Sequence, residues 1–101
     1  MKTMKFWLIA SAILCSVANA QTYPDKTITL VVPFAAGGPT DVVARMMAIP
    51  MAKSLGQTVV VENVNGAGGT IGATKVARAA PNGYTIFLHH MGMSTAPALY
   101  N

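Results

Sequence analysis

The chain has 101 residues, of which seven are basic and three are acidic, for a formal net charge of +4. Its single cysteine excludes a disulfide framework within the chain and a cluster of thiols around a metal. The basic residues are scattered without a run, which excludes the charged patch typical of a nucleic-acid-binding domain.

The first twenty residues have the three-part pattern of a secretory signal peptide. Lys2 and Lys5 form a short basic region, residues 6–17 are apolar, and residues 18–20 place alanine on both sides of an asparagine, as a signal peptidase requires. The apolar run is too short to cross a bilayer, which needs about 20 residues. We therefore predict a cleaved signal peptide over 1–20 and a periplasmic protein.

The rest of the chain, 21–101, is predicted to form one α/β unit. Runs of β-branched and apolar residues alternate with stretches of helical pattern. The predicted elements are a strand over 27–32, a helix over about 40–55, a strand over 58–62, a helix over about 70–80 and a strand over 84–88. This βαβαβ order implies a parallel sheet with right-handed crossovers. After the last strand, the tail over 89–101 contains Pro97, and a short turn is expected around Leu99.

The first predicted helix carries more apolar residues than one face can bury. Thr40 or Asp41 is expected to cap its start, Gly56 to stop it, and Pro50 to kink it near the third turn. The methionines of this helix are assigned to the core. The apolar residues fall in two adjacent stripes, which comprise Val42, Met46, Ile49, Val43, Met47, Met51 and Leu55. Such patterning indicates that the unit needs more protein around it.

The candidate ligand site lies in the loops after the strands, because ligands of open α/β sheets bind outside the carboxyl ends of the strands. The loops over 33–39 and 63–69 are rich in glycine, and each opens directly into a helix. Unpaired backbone N–H groups and the positive end of a helix dipole form an anion site without a charged side chain. The pattern predicts a carboxylate site. Two tight strand-to-helix turns without a ligand are the alternative interpretation.

Motifs for nucleotide binding, catalysis and metal binding are absent or incomplete in the sequence. The run from Gly66 to Gly72 resembles a dinucleotide fingerprint, but Ile71 stands where its third glycine is needed, and no acidic residue follows at the ribose position. His89 and His90 are adjacent, so on a strand they would point to opposite faces and could not easily bind one metal. We predict no enzyme activity, no cofactor and no metal. The alternative is a small α/β enzyme or nucleotide-binding domain that uses the same loops.

Asp41 has two open interpretations. At a helix start its charge suits the dipole, and it can pair with Arg45 one turn later. Alternatively, it receives an ammonium or hydroxyl group of the ligand.

Separate stretches of the chain match, in order, a pattern known from one protein family. They are residues 23–24, 30–45, 55–57, 59–63, 66–72, 76–77, 81–85 and 97–100. On these residues the chain resembles the tripartite tricarboxylate transporter receptors, the Bug family. The resemblance implies the βαβαβ parallel-sheet portion of lobe 1 of a two-lobed periplasmic binding protein, which captures a small carboxylate without catalysis. It also implies two integral membrane transporter subunits as partners, no nucleic acid, and a monomer when the receptor is complete.

The resemblance further implies which residues contact the ligand. Loops matching 34–41 and 66–70 grip a carboxylate through backbone amides and ordered water, and the loop matching 89–95 borders the pocket. The candidate ligand-binding residues are therefore Phe34, Ala35, Gly37, Gly38, Thr40, Asp41, Gly66, Ala67, Gly68, Gly69, Thr70, His90 and Ser94.

The chain departs from the family pattern at several places. Pro50 lies where relatives continue a helix, residues 89–91 replace a loop that is usually smaller and more polar, and Ala96 stands where asparagine is common. Family members are also much longer. The second lobe is expected to be absent, and the chain is predicted to be a truncated part of a receptor.

Overall fold

The structure, a computed structural model, describes residues 22–99. The predicted signal peptide over 1–20 lies outside the described residues. In chain order the elements are β1 (Ile28–Val32), α1 (Pro39–Leu55), β2 (Val59–Asn63), a 3₁₀ turn (Ala67–Gly69), α2 (Thr70–Ala77), β3 (Thr85–Phe87) and α3 (Gly92–Leu99).

The three strands form one parallel sheet in the order β2-β1-β3, which confirms the predicted α/β fold. Ile28 lies opposite Val59, and Leu30 lies between Val61 on β2 and Ile86 on β3. β1 is the central strand, and all its residues except Thr29 are buried. Its nearly continuous apolar sequence is what a strand covered on both faces requires.

α1 packs on the sheet through a narrow face of small residues, Ala44 and Ala48. Of the larger side chains of this helix, Leu55 packs partly against the core, whereas several others lie exposed. The assignment of the methionines to the core is therefore wrong for Met46, which is 69% exposed, and for Met47, which is 43% exposed. Met51 packs partly against the core. The same exposed surface includes Val42, Val43 and Ile49.

The start of α1 differs from the prediction, whereas its end agrees. Gly38 is the N-cap and forms no side-chain cap, so the expectation that Thr40 or Asp41 caps the helix is wrong. Pro39 occupies the first helical position, where a missing N–H costs nothing because that amide has no helical acceptor. At the other end, Gly56 adopts a φ of 68° and stops the helix as predicted.

Two helices contain an internal proline. α1 runs on through Pro50, and the kink expected there stays a prediction. α3 contains Pro97, and it corrects the expectation that the tail holds a short turn around Leu99. A proline inside a helix costs one hydrogen bond, because it has no amide N–H to donate. Packing of the helix against the rest of the protein can offset that cost. Here α3 faces α2 across a cavity of about 260 Å³ that Thr74 and Met93 help to line.

The remaining elements differ from prediction only at their ends. β2 extends by one residue to Asn63, and α2 stops at Ala77 rather than Ala80. Pro81 explains in part why α2 ends before Ala80, because a proline disfavours helical geometry at the residue that precedes it. Within residues 22–99, no helix combines the length and apolar character needed to span a bilayer.

Candidate functional site

Three loops meet at the carboxyl edge of the sheet, as the sequence predicts for parallel strands. We call them loop 1 (residues 33–38), loop 2 (residues 64–69) and loop 3 (residues 88–91). The ring of Phe34 in loop 1 lies 5.2 Å from that of His89 and 4.5 Å from that of His90, both in loop 3. Gly69 in loop 2 is so close that a Cβ there would lie 3.3 Å from Phe34 and 2.6 Å from His89.

Loop 2 turns in the left-handed sense over four consecutive residues. The φ angles are 128° at Gly66, 47° at Ala67, 63° at Gly68 and 94° at Gly69. The Gly69 N–H donates to the Gly66 carbonyl at 3.0 Å and closes the turn. Thr70, the first residue of α2, donates its hydroxyl to the Ala67 carbonyl at 2.8 Å. A side chain disfavours positive φ, so this loop requires most of its glycines.

The helical starts in and directly after loops 1 and 2 each have a glycine as N-cap. Gly38 precedes α1, Gly66 precedes the 3₁₀ turn and Gly69 precedes α2, and none of the three starts has a side-chain cap. The first amides of a helix have no acceptor within the helix, and a serine, threonine or aspartate cap usually satisfies one of them. The N–H groups of Gly37, Gly38, Gly69 and Thr70 already have acceptors within the chain, so an anion could be bound only by the other amides of these starts.

Loop 1 is held in place by a buried carboxylate. Asp41 is only 2% exposed, and its Oδ2 accepts the Gly37 N–H at 2.8 Å and the Arg45 Nε–H at 2.9 Å. The side-chain amide of Asn63 donates to Asp41 Oδ1 at 3.0 Å and to the Phe34 carbonyl at 3.0 Å. The predicted pair with Arg45 is thereby confirmed. Within residues 22–99, the carboxylate is fully engaged by protein donors.

These donors change the acidity of the carboxyl group. The pKa of Asp41 falls from 3.8 to about 2, chiefly through the hydrogen bond from Arg45, then through those from the Gly37 amide and Asn63. Each donor stabilises the ionised form, while burial opposes the shift. Asp41 stays ionised at all ordinary pH values and acts on the site by fixing the loop 1 backbone.

Asn63 is the residue of this network that the sequence did not identify as functional. Asn63 is the last residue of β2. Its side-chain oxygen, Oδ1, accepts a hydrogen bond from Arg45 Nη2 at 3.3 Å. The only signal was its position, since a polar residue directly after an apolar strand lies at the carboxyl edge where the loops meet.

The two histidines lie together rather than on opposite faces, which corrects the prediction. β3 ends at Phe87, so neither His89 nor His90 belongs to a strand and the strand alternation does not apply. Their rings are 4.9 Å apart and both contact Phe34. Among residues 22–99, no three side chains of the metal-binding types are grouped so that they could hold an ion.

The first turn of α1 and loop 3 share a cavity of about 290 Å³. On the side of the cavity formed by α1, Thr40 supplies the polar side chain. Ser94, by contrast, lies exposed in the first turn of α3, where its N–H donates to the Met91 carbonyl at 3.0 Å. The complete lining is Pro39, Thr40, Val43, Leu88, His89 and His90.

A larger cavity, of about 550 Å³, lies away from these loops. It is formed where α1 ends and β2 begins, around Gly56 and Thr58. None of the helices between residues 22 and 99 begins in this region, so it lacks the helix-start amides of the loop edge. The smaller cavity lies at the loop edge beside the start of α1, although none of its lining residues belongs to loop 1 or loop 2.

Comparison with known proteins gives consistent matches. Residues 43–101 match the family described as tripartite tricarboxylate transporter family receptor. The chain is 53% identical over 94 residues to a UPF0065 protein of Agrobacterium vitis, encoded in the TAR-I ttuE-ttuC′ intergenic region. That alignment covers 92% of this chain and 27% of the relative.

Solved structures give the same result. The periplasmic binding protein BugD is 64% identical, with a TM-score of 0.77 over 78% of this chain and 26% of BugD. MatC from Rhodopseudomonas palustris, solved with bound malate, is 54% identical, with a TM-score of 0.75 over 78% of this chain and 27% of MatC. The chain thus spans 26–27% of the length of these three relatives.

Proposed function

The chain belongs to the tripartite tricarboxylate transporter receptor family, and on this basis we propose that it captures a small carboxylate as part of an extracytoplasmic solute-binding protein. It corresponds to the first part of lobe 1 of such a receptor. The relatives support the class of ligand and the compartment, since BugD is a periplasmic binding protein and MatC was solved with malate.

One observation carries the proposal, namely that the helical starts of loops 1 and 2 have glycine N-caps without a side-chain acceptor. A carboxylate between these loops would accept backbone N–H groups and gain from the positive ends of α1 and α2. Glycine allows close approach because no Cβ stands between the amide and the ligand.

The charged residues favour the same mode of binding. Arg45 is engaged by Asp41, and Lys75 forms an ion pair with Glu62. Arg78 lies exposed just past the end of α2, at the opposite end of that helix from loop 2. Of the other basic residues within 22–99, Lys26 lies over the Tyr84 ring and Lys53 lies in the last turn of α1, so binding through backbone amides is the economical arrangement.

The site is also prepared before the ligand arrives. Asp41 and Asn63 fix the Gly37 amide and the Phe34 carbonyl in loop 1. A loop backbone that is held in place beforehand reduces the ordering cost of binding.

Binding is tested by titrating the chain with mono-, di- and tricarboxylates and with nucleotides, using amide chemical shifts to detect weak association. We expect carboxylates to shift the amide signals of loops 1 and 2. Nucleotide binding at these loops without carboxylate binding would instead favour a nucleotide-binding domain.

Export and transport partners complete the proposal. A cleaved signal peptide would deliver the protein to the periplasm, where two integral membrane subunits would receive the ligand. Expression in a Gram-negative host, followed by cell fractionation and N-terminal sequencing, tests the export step. A periplasmic product that begins at Gln21 is expected, whereas a product that retains Met1 in the membrane fraction would contradict it.

A further inference from the structure

The histidine pair of loop 3 lies against both glycine loops of the proposed site. His90 stacks on Phe34 with 9° between the ring planes, and His89 meets Phe34 edge-on at 71°. His89 also reaches loop 2, where its Nε2 lies 2.6 Å from the position that a Cβ on Gly69 would take. The pair therefore touches both glycine loops and lines the cavity with Thr40.

The backbone fixes which ring nitrogen carries the proton in each histidine. The His90 N–H donates to His89 Nδ1 at 2.8 Å, and the Gly92 N–H donates to His90 Nδ1 at 2.9 Å. The His90 carbonyl oxygen also lies 2.9 Å from His89 Nδ1, but an amide directed at that nitrogen requires a lone pair there. In both neutral rings the proton is thus on Nε2, which makes each Nε2–H a hydrogen-bond donor.

We infer that His89 and His90 determine ligand specificity by donating their Nε2–H groups to the second carboxylate of a dicarboxylate. The inference rests on the proposed function, in which the amides of the glycine loops hold the first carboxylate. The rest of the cavity lining is Pro39, Val43 and Leu88, with the hydroxyl of Thr40. Apart from this hydroxyl, the histidines are its only polar side chains within residues 22–99. A carboxylate directed there has few other donors in the cavity, whereas an apolar tail gains no hydrogen bond from either N–H group.

The test compares succinate with butyrate, which have the same four-carbon chain but two and one carboxylates. Dissociation constants are measured by NMR titration of the full chain. We expect succinate to bind at least about tenfold more tightly, as hydrogen bonds to a charged group allow. His89→Phe and His90→Phe keep a ring against Phe34 but remove the N–H, and each should reduce that preference to about threefold or less. His90→Gln restores a donor and should recover most of it.

Butyrate is titrated into each variant beside succinate, so that the ratio of the two affinities, and not either affinity alone, reports the donors to the second carboxylate. Wild-type protein that binds both acids equally would overturn this inference while leaving the proposed function intact. Phenylalanine variants that keep the preference for succinate would also overturn it. Wild-type protein that binds neither acid would overturn the proposed function and this inference together.

Discussion

The side-chain amide of Asn63 donates to the carboxylate of Asp41 at 3.0 Å and so connects the end of β2 to the first turn of α1. The same nitrogen donates to the Phe34 carbonyl. Loop 1 is therefore anchored from a strand that is remote in sequence but adjacent in the sheet.

Asn63→Ala should loosen loop 1. The variant loses the donor to the Phe34 carbonyl, a neutral hydrogen bond worth about 1 kcal/mol, and leaves one oxygen of Asp41 without that partner. We expect a lower midpoint of urea denaturation and faster hydrogen exchange at the Gly37 amide. Asn65→Ala is the matched control, since Asn65 is exposed in loop 2 and should leave both measurements unchanged. Equal effects of the two substitutions would contradict the anchoring role.

The depressed pKa of Asp41 predicts an acid-dependent loss of stability. In the folded chain the carboxyl group titrates at about 2, whereas in the unfolded chain it titrates near 3.8. Unfolding therefore takes up a proton between these values, so the contribution of Asp41 is complete above 3.8 and is lost as the pH falls to about 2. The difference in denaturation midpoint between wild type and Asp41→Asn should narrow over that range. A difference that stayed constant down to about pH 2 would show that Asp41 is not stabilised by its donors.

The sheet and the positions of the loops could be predicted because they depend on local patterns. The apolar run of β1 indicated a strand covered on both faces, and Gly56 marked the end of α1. The side-chain network could not be predicted in full. The pair of Asp41 with Arg45 follows from helical spacing, but the contact with Asn63 depends on how β2 aligns beside β1.

The orientation of α1 was the main point where sequence patterning failed. Apolar residues surround most of the helix, so their spacing does not select one buried face. Close packing on the sheet selected Ala44 and Ala48 instead of the larger Met46 and Ile49. The histidines were misplaced for a different reason, because β3 ends at Phe87 before either of them.

The left-handed turn of loop 2 predicts opposite effects of two small substitutions. Ala67→Gly removes the strain of a side chain at a φ of 47°, which costs about 1–2 kcal/mol of stability. The substitution also makes the unfolded chain more flexible, which lowers stability by about 0.4–1 kcal/mol. The net result should be a stabilisation of up to about 1.6 kcal/mol, measured by urea denaturation.

Gly69→Ala should instead destabilise the fold by more than the φ cost. A Cβ there would meet His89 Nε2 at 2.6 Å, in addition to the unfavourable φ of 94°. Gly56→Ala is the matched control, because Gly56 also has positive φ but has nothing within 4 Å of a Cβ. If Gly69→Ala cost no more than Gly56→Ala, the contact between loops 2 and 3 would not be rigid.

Binding through backbone amides predicts that glycines matter more than basic side chains. Gly68 has a φ of 63°, which a β-branched side chain strongly disfavours, so Gly68→Val should abolish carboxylate binding. Lys75→Ala and Arg78→Ala should change it little, because Lys75 is paired with Glu62 and Arg78 is exposed beyond the end of α2. Calorimetric titration of a full-length receptor that carries residues 22–99 measures all three. Normal binding by Gly68→Val together with loss of binding in Arg78→Ala would show that charge pairing holds the ligand.

The exposed apolar surface of α1 predicts self-association of the isolated chain. Met46 is 69% exposed and Ile49 is 75% exposed, and neighbouring valines extend the patch along the helix. Burying such a surface is favourable at roughly 25 cal/mol per Å², so copies of the chain should associate through it in the absence of other protein. The mean mass by light scattering should rise with concentration. Ile49→Gln should reduce that rise, whereas Ile71→Gln, at a 52% exposed position on α2, should not. A chain that stays monomeric into the millimolar range, or equal effects of the two substitutions, would show that the α1 surface does not drive association.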